Sequence, residues 1–467
     1  MGEKNLGEKK GRPLTRLKPA PVNDPRFLAL TILVENHDSK FPLDRTLERY
    51  STELDSLAHR DRALANAIVY GTLRWREHLD WLITPFSKRG INEIEPGILY
   101  TLRMGLFQTV FMEKIPVSAA VNTAVNMAKT IANTGAGGFV NAVLRKATTR
   151  YMEVAMPDPG KDPALFVSKS HSIPLWLARR WTARFGLEAC LTLLDSINTI
   201  PPITLRANTL KTDRTTLAAA LKKEVETILP TVHAPDGLSV TRPKTPLHLT
   251  DLFKQGLFQV QDEATQIITT LVDPKPGERI LDACAGLGGK TGHMGQIMGN
   301  LGEIEAWDLD ERKLMVLEGE MKRLGISNVT TKRMDALNIN PKEQDKPFDR
   351  ILVDAPCTGL GVLRRNPDAR WSRTPQDISR LAALQKKILN NLADLVKPGG
   401  IMVYAVCSCE PEENEQVIDQ FLKTRRDFSP VFNTHPLTGQ DGIFRTYPQT
   451  LGMDGFFSAT MKRSINE

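Results

Sequence analysis

Cysteine is scarce in this chain: five residues in 467, at Cys190, Cys284, Cys357, Cys407 and Cys409. An odd, sparse set without disulfide patterning points to a reducing cytoplasm rather than a secreted, cross-linked fold. A zinc site is not expected either. There is no Cys-x-x-Cys pair, and the nearest two histidines, His233 and His248, lie far beyond the spacing of ligands on one helix turn. No uninterrupted apolar run reaches membrane-spanning length, and the first residues lack the apolar stretch of a signal peptide. Nor is there a strong excess of one charge outside the N-terminus. The net charge is +7 with a pI near 9.0, but Lys4, Lys9, Lys10, Arg12, Arg16 and Lys18 face only Glu3 and Glu8, so the first twenty residues supply +4 of it. A polyanionic partner is compatible with that balance and is not required by it.

What is present is the composition of a globular protein, 41% apolar and 25% charged, long enough for several domains. Residues 1–22 read as a basic disordered arm. Residues 23–150 are helical throughout. In 61–83 apolar side chains recur at i, i+3, i+4 and i+7 up to Pro85, and further helices are predicted over 97–111 and 118–131. The glycines of 135–138 are expected to break the chain before a last helix at 139–150. Residues 151–255 change character, with a helix over 176–194, a short strand at 203–208 and a helix over 214–223, a small α+β unit. From 256 to 467 strands alternate with helices. Candidate strands lie at 279–283, 303–307, 329–333, 350–353 and 401–405, which predicts an α/β domain built on a parallel sheet covered on both faces.

Three places in the last region carry chemistry. The first is L-D-A-C-A-G-L-G-G-K-T, residues 281–291, where a short strand runs into a glycine-rich turn and a helix. Such a turn at a strand's C-terminal end is where open α/β sheets bind nucleotides, and Gly286, Gly288 and Gly289 permit close backbone approach. The candidate cofactor residues are Cys284, Ala285, Gly286, Leu287, Gly288, Gly289 and Lys290. Asp308 ends the next strand, placed to receive a ribose diol, with Asp310 available as the cap of the following helix. Asp335 ends the third strand, where an adenine could lie.

The second and third places are I-L-V-D-A-P-C-T-G-L-G (351–361) and M-V-Y-A-V-C-S-C-E-P-E-E-N-E (402–415). Asp354, Cys357 and Cys407 each follow a buried strand. All strand C-termini of a parallel sheet share one edge, so Cys357 and Cys407 should meet beside the glycine turn. Cys190, Cys284 and Cys409 read as ordinary buried thiols. Arg364, Arg365, Arg370 and Arg373, with Trp371 among them, leave the same edge and are candidates for gripping RNA and stacking a base.

These stretches carry a resemblance. D-A-P-C-T-G-L-G-V-L-R-R-N-P-D, Y-A-V-C-S-C-E-P-E-E-N and V-Q-D-E-A-T-Q closely resemble the RNA cytosine-C5 methyltransferases of the RsmB (Sun, Fmu) group. G-T-L-R-W-R-E-H-L-D-W-L-I and F-V-N-A-V-L-R-K resemble the NusB-like RNA-binding helical domain of that group, and 165–250 its small middle domain. The resemblance implies a Rossmann-like domain using S-adenosylmethionine (SAM), with small-subunit rRNA as substrate, in a cytoplasmic and monomeric enzyme. It further implies that Cys407 is the nucleophile, that Cys357 serves product release, that Asp354 hydrogen-bonds the cytosine at N3 and its amino group, and that Lys290 orients Asp354 or neighbouring polar groups. The residues alone leave open which cysteine attacks; the DNA cytosine methyltransferases use the first-motif cysteine.

Two departures stand out. The family turn usually reads A-A-P-G-G-K, whereas Gly286 and Leu287 here replace alanine and proline, which predicts a looser turn and a weaker hold on SAM. Val406 stands where threonine often precedes the nucleophile. Two other readings remain at this level. One is the same chemistry on tRNA or another RNA. The other is a non-catalytic RNA-binding or ribosome-assembly factor, which rests on the altered turn alone.

Overall fold

The structure, a computed structural model, describes residues 24–39, 41–339, 346–432 and 435–465. The basic arm of residues 1–22 lies outside them. The chain divides into two compact units, Met1–Pro157 and Asp158–Glu467.

The first unit is all α. Its principal helices are Pro25–Asp38, His59–Arg74, Arg76–Ile83, Pro96–Phe111, Val117–Ile131 and Thr134–Arg150. Helix Pro96–Phe111 is buried from Gly97 to Gln108, so it forms the axis around which the others pack. The charge it carries inward is matched: Arg103, 2% exposed, makes two hydrogen bonds of 2.7 Å to the carboxylate of Asp80. Two expectations are corrected. The helix expected over 61–83 is two helices, because Trp75 leaves the helical conformation at φ −104°, ψ 15°. The glycines at 135–138 do not break the last helix but lie within it. Asn133 caps it by accepting from Ala136 N at 3.0 Å, and a Cβ at Gly137 would stand 2.5 Å from the Lys129 side chain, so small residues let the helix sit against its neighbour.

The second unit opens with helices Pro163–His171, Leu175–Phe185 and Leu187–Ile197. The helix expected over 176–194 is interrupted at Gly186, whose φ of +78° ends one helix and begins the next. A small antiparallel sheet comes next, made of β1 (Ile203–Ala207), β2 (Val225–Pro230), β3 (Gly237–Pro243) and β4 (Phe258–Val260) in the order β2-β3-β1-β4. The small sheet therefore extends past residue 255 to Val260. Buried side chains join it to the segment that begins at Gln261. Arg206 on β1 donates to Gln261 Oε1 and to Gly289 O, and Asn208 Nδ2 donates to Leu324 O at 2.7 Å.

The large sheet comprises β5 (Arg279–Asp282), β6 (Glu303–Asp308), β7 (Val329–Arg333), β8 (Phe348–Asp354), β9 (Val396–Val406), β10 (Phe428–Pro430), β11 (Phe444–Thr446) and β12 (Phe456–Arg463). Its order is β10-β12-β9-β8-β5-β6-β7, with β11 paired to β12. Strands β5 to β9 are parallel, while β12 lies antiparallel against β9, so the sheet is mixed where the sequence predicted it parallel. Alternate residues feed two cores. Leu281, Ile351, Val353 and Tyr404 pack with Leu389, Leu392 and Phe421, whereas Ile280, Leu352 and Val403 pack with Ile268 and Met294. Burial on both faces is why these strands read as unbroken apolar runs. It also leaves their C-terminal edge as the place where side chains with other tasks collect.

Candidate active site

Asp282, Asp308 and Asp354 end β5, β6 and β8 on that edge. Beyond Asp282 the chain makes the glycine turn. Ala285 N donates to Trp307 O at 2.8 Å, and Gly286 N donates to Asp308 Oδ2 at 3.0 Å. Gly286 and Gly288 lie in the left-handed region at φ +57° and +84°, which glycine adopts without strain. A Cβ on Gly288 would stand 2.5 Å from Leu317 Cγ, so the turn also needs glycine for its contact with helix Glu311–Leu324. The two acids at the end of β6 divide their work. Asp310 caps that helix by accepting from Arg312 N at 3.1 Å, while Asp308 accepts from Asp310 N at 2.8 Å and from the turn. Asp335 is half-buried beyond β7 and closes a local turn, accepting from Leu337 N at 2.9 Å and Asn338 Nδ2 at 2.6 Å.

Beneath the turn lies Asp282, to which the sequence patterns assign no role. Asp282 is 1% exposed; its Oδ2 accepts from Thr291 Oγ1 at 2.7 Å, while Oδ1 has no partner, and burial pushes the carboxyl up to about 7. The signal is in L-D-A-C itself, an acid at the end of an otherwise apolar strand. These features fit SAM. Nothing lies within 4 Å of a Cβ built on Gly286, which leaves room above the turn, and each oxygen of Asp308 keeps a lone pair beyond its one backbone bond. Cys284, Ala285 and Leu287 present backbone at the same turn, Leu287 with an exposed side chain; burial pushes the Cys284 thiol up.

The two cysteine motifs converge. Cys357 Sγ and Cys407 Sγ are 3.2 Å apart, a hydrogen-bonding separation rather than a disulfide. That bond, then burial, raises the Cys357 thiol well above its ordinary range; either sulfur can be the donor of the bond. Gly361 N donates to Cys407 O at 3.0 Å and Ala355 N to Ala405 O at 2.9 Å, tying one loop to the other. Lys290, on the first turn of helix Gly289–Ile297, reaches Asp354 Oδ2 at 2.7 Å. Burial works to lower the Lys290 ammonium and is outweighed by the Asp354 carboxylate beside it, so its ionisation is shifted upward. Phe456 at the start of β12 lies under that ammonium at 5.8 Å.

The arginines expected to grip RNA are engaged otherwise. Arg364 is 5% exposed and donates to Gly452 O and Asp454 Oδ1; Arg365 bonds Asp454, Asp262 and Pro202 O. Arg370 is fully buried and donates to Ser172 O and Asn198 Oδ1, and Arg373 donates to Thr358 O at 2.8 Å. A buried guanidinium costs several kcal/mol unless its donors are met, and here carbonyls and carboxylates meet them. The loop thus fastens helices 163–197 to the sheet edge that bears the two cysteine motifs. Helix Leu175–Phe185 reaches the second cysteine loop as well: Trp181 Nε1 donates to Glu410 Oε1 at 2.8 Å, Arg180 pairs with Glu410 and Glu412, and Arg184 donates to Cys409 O.

Among the described residues no group of three or more His, Cys, Asp and Glu could hold a metal ion, and no helix is long and apolar enough to cross a membrane. Residues 269–462 match the family described as 16S rRNA methyltransferase RsmB/F, 23–149 the NusB family, and 173–247 the ferredoxin-like domain of RsmF/B-like methyltransferases. The chain is 33% identical over 455 residues to a probable ribosomal RNA small subunit methyltransferase B of Bacillus subtilis, covering 96% of this chain and 100% of that protein. It superposes on the crystal structure of PH0851 with a TM-score of 0.80 at 26% identity, over 96% of this chain and 100% of that one. NSun6 from Pyrococcus horikoshii, solved with SFG, a SAM analogue, matches at a TM-score of 0.56 and 25% identity, over 64% of this chain and 100% of that one.

Proposed function

Since the chain belongs to the RsmB/F family of SAM-dependent methyltransferases, we propose that it methylates C5 of a cytosine in small-subunit rRNA, with Cys407 as the nucleophile. The observation that carries this is the pair of sulfurs 3.2 Å apart at the end of the strand edge that also bears the glycine turn and the Lys290–Asp354 pair. SAM, held at residues 284–290 with Asp308 and Asp335 toward its nucleoside end, supplies an electrophilic methyl group when bound. Cytosine C5 is too poor a nucleophile to take that methyl unaided. A Cys407 thiolate adding to C6 breaks the ring's conjugation and makes C5 enamine-like. The S–H of Cys357 stabilises the Cys407 sulfur as an anion before attack and as a leaving group afterwards. Asp354, held by Lys290, accepts from the amino group of the base and, in its protonated form, donates to N3, which offsets the negative charge that addition builds up there. A base, supplied by solvent, then takes the proton from the methylated C5; the freed electron pair re-forms the C5–C6 double bond and the C6–S bond breaks, returning the thiolate to Cys407.

A base stacked in a duplex cannot reach this edge, so the target is unpaired or flipped out. The NusB-like unit is the second hold on RNA in this reading. The test is a pair of variants. Cys407→Ala should lose methyl transfer by about 1,000-fold or more, and Cys357→Ala should accumulate a covalent protein–RNA adduct visible on a denaturing gel. Normal turnover by both variants would overturn the mechanism. Bisulfite sequencing of RNA from a deletion strain tests the substrate: loss of a mark in tRNA with rRNA intact would remove the choice of rRNA.

A further inference from the structure

Glu413 is fully buried between the two cysteine loops and takes no part in the methyl and proton transfers. Its Oε1 accepts from Thr358 N at 2.9 Å and Gln385 Nε2 at 3.1 Å; its Oε2 accepts from Thr358 Oγ1 and from Ser408 Oγ, each at 2.5 Å. Thr358 is the next residue after Cys357, and Ser408 the next after Cys407. One carboxylate therefore joins the residue after each sulfur. Gln385 also donates to Pro356 O at 2.9 Å, so the residue before Cys357 is held from the same point. The backbone of Glu413 is held by Tyr404, whose hydroxyl donates to the Glu413 main-chain carbonyl at 2.6 Å from within β9.

We propose that Glu413 is a positioning residue for methyl transfer, a buried strut that sets the spacing of the two sulfurs. The inference rests on Cys407 being the nucleophile. Its physical basis is that four donors converge on one acceptor group where no water can replace them. A hydrogen bond between sulfurs survives only a few tenths of an ångström of drift, and the loops that bear them are otherwise joined by backbone bonds at Gly361 and Ala355 and by a long 3.4 Å contact between the Thr358 and Ser408 hydroxyls, both of which Glu413 also binds. The negative charge of Glu413 also acts on Cys357, opposing its ionisation. A residue that served stability alone would not need to touch the neighbours of both thiols.

Glu413→Gln tests this, since it keeps the shape of the side chain and removes its charge. We expect a thermal midpoint close to the parent's, a single-turnover rate about 10–100-fold lower with the KM for SAM little changed, and a change in thiol selectivity. Iodoacetamide near neutral pH, with peptide mapping afterwards, should label Cys407 in the parent and both Cys357 and Cys407 in the variant. A folded Glu413→Gln protein with the parent's rate and its single labelled cysteine would overturn the proposal. Should that variant fail to fold, Ser408→Ala removes one hydroxyl link and leaves the carboxylate; a rate loss of about threefold or more with added labelling at Cys357 supports the strut, and parental behaviour in both sinks it. The labelling needs no RNA and no turnover, so it stands apart from the reading of function: activity in Cys407→Ala would refute Cys407 as nucleophile whatever the labelling showed.

Discussion

At the glycine turn the backbone of Gly286 is held by one bond to Asp308, its would-be Cβ faces open space, and the Leu287 side chain is exposed. At the cysteine loops, on the same edge of the same sheet, a fully buried carboxylate takes four donors and a Cβ on Gly361 would strike Gly455 O at 2.0 Å. One side is built to let a ligand come and go, the other to hold two sulfurs still. The difference matches what each has to do. In the proposed reaction a cofactor must enter charged with its methyl and leave without it, whereas a nucleophile and its proton partner would lose rate quickly if their spacing drifted.

The sharpest test of that contrast is at Gly361. Gly361→Ala forces its methyl into backbone, which cannot give as a side chain end can, and the loss of stability should be about 3 kcal/mol, read as a lowered thermal midpoint, with loss of the bond to Cys407 O. An effect of comparable size is expected at Asp282, which lies under the turn. Its carboxyl is raised in the fold to about 7 from an ordinary 3.8, so between those values the unfolded chain gives up a proton that the folded one keeps. Stability from this group therefore falls as pH rises from about 4 to about 7. Asp282→Asn, which can still accept from Thr291, should melt ever higher than the parent across that window, reaching a gain of about 4 kcal/mol above it. A gap between the two melting curves that does not change with pH would remove Asp282 as the source. The smallest effect belongs to Gly286→Ala, where only the positive φ is strained, at about 1 kcal/mol. If it costs as much as Gly361→Ala, the turn is as tightly built as the cysteine loops and the contrast fails.

The departure of the turn from the usual A-A-P-G-G-K also takes on a physical sense here. The proline that would stiffen position 287 is missing, but the amide of Gly286 is anchored on Asp308 and the carbonyl of Gly289 on Arg206 from the small sheet. Arg206 is fully buried with only neutral acceptors, and burial pulls its guanidinium down to about 9. The segment I-T-L-R-A-N shows a strand. It does not show that its arginine points inward to the start of the cofactor helix, because strand alternation says which face a residue takes and not what that face meets.

The same limit explains the arginines at 364–373. Their placement just after D-A-P-C-T-G-L-G is legible, and a basic run beside a catalytic edge reads naturally as a nucleic-acid grip. Their partners Asp454, Asp262, Pro202, Ser172 and Asn198 come from segments that no local pattern links to them. Strand β12 is hidden in the sequence for a related reason. F-F-S-A-T-M-K-R lies beyond the last strand–helix alternation and pairs antiparallel with β9, an arrangement that periodicity cannot distinguish from a further parallel strand.

By itself the sequence determined the strand–turn–helix succession and therefore the edge on which Asp308, Asp354, Cys357 and Cys407 would gather, since apolar runs buried on both faces leave a parallel sheet only its C-terminal ends for polar work. Tertiary structure alone decided how those groups are held: the 3.2 Å between sulfurs, the Lys290–Asp354 pair, the strut at Glu413 and the brace from Trp181 to Glu410, 229 residues away. Hydrogen bonds to buried charges depend on which distant donors the packed chain brings within about 3 Å, and nothing in the neighbouring sequence fixes that.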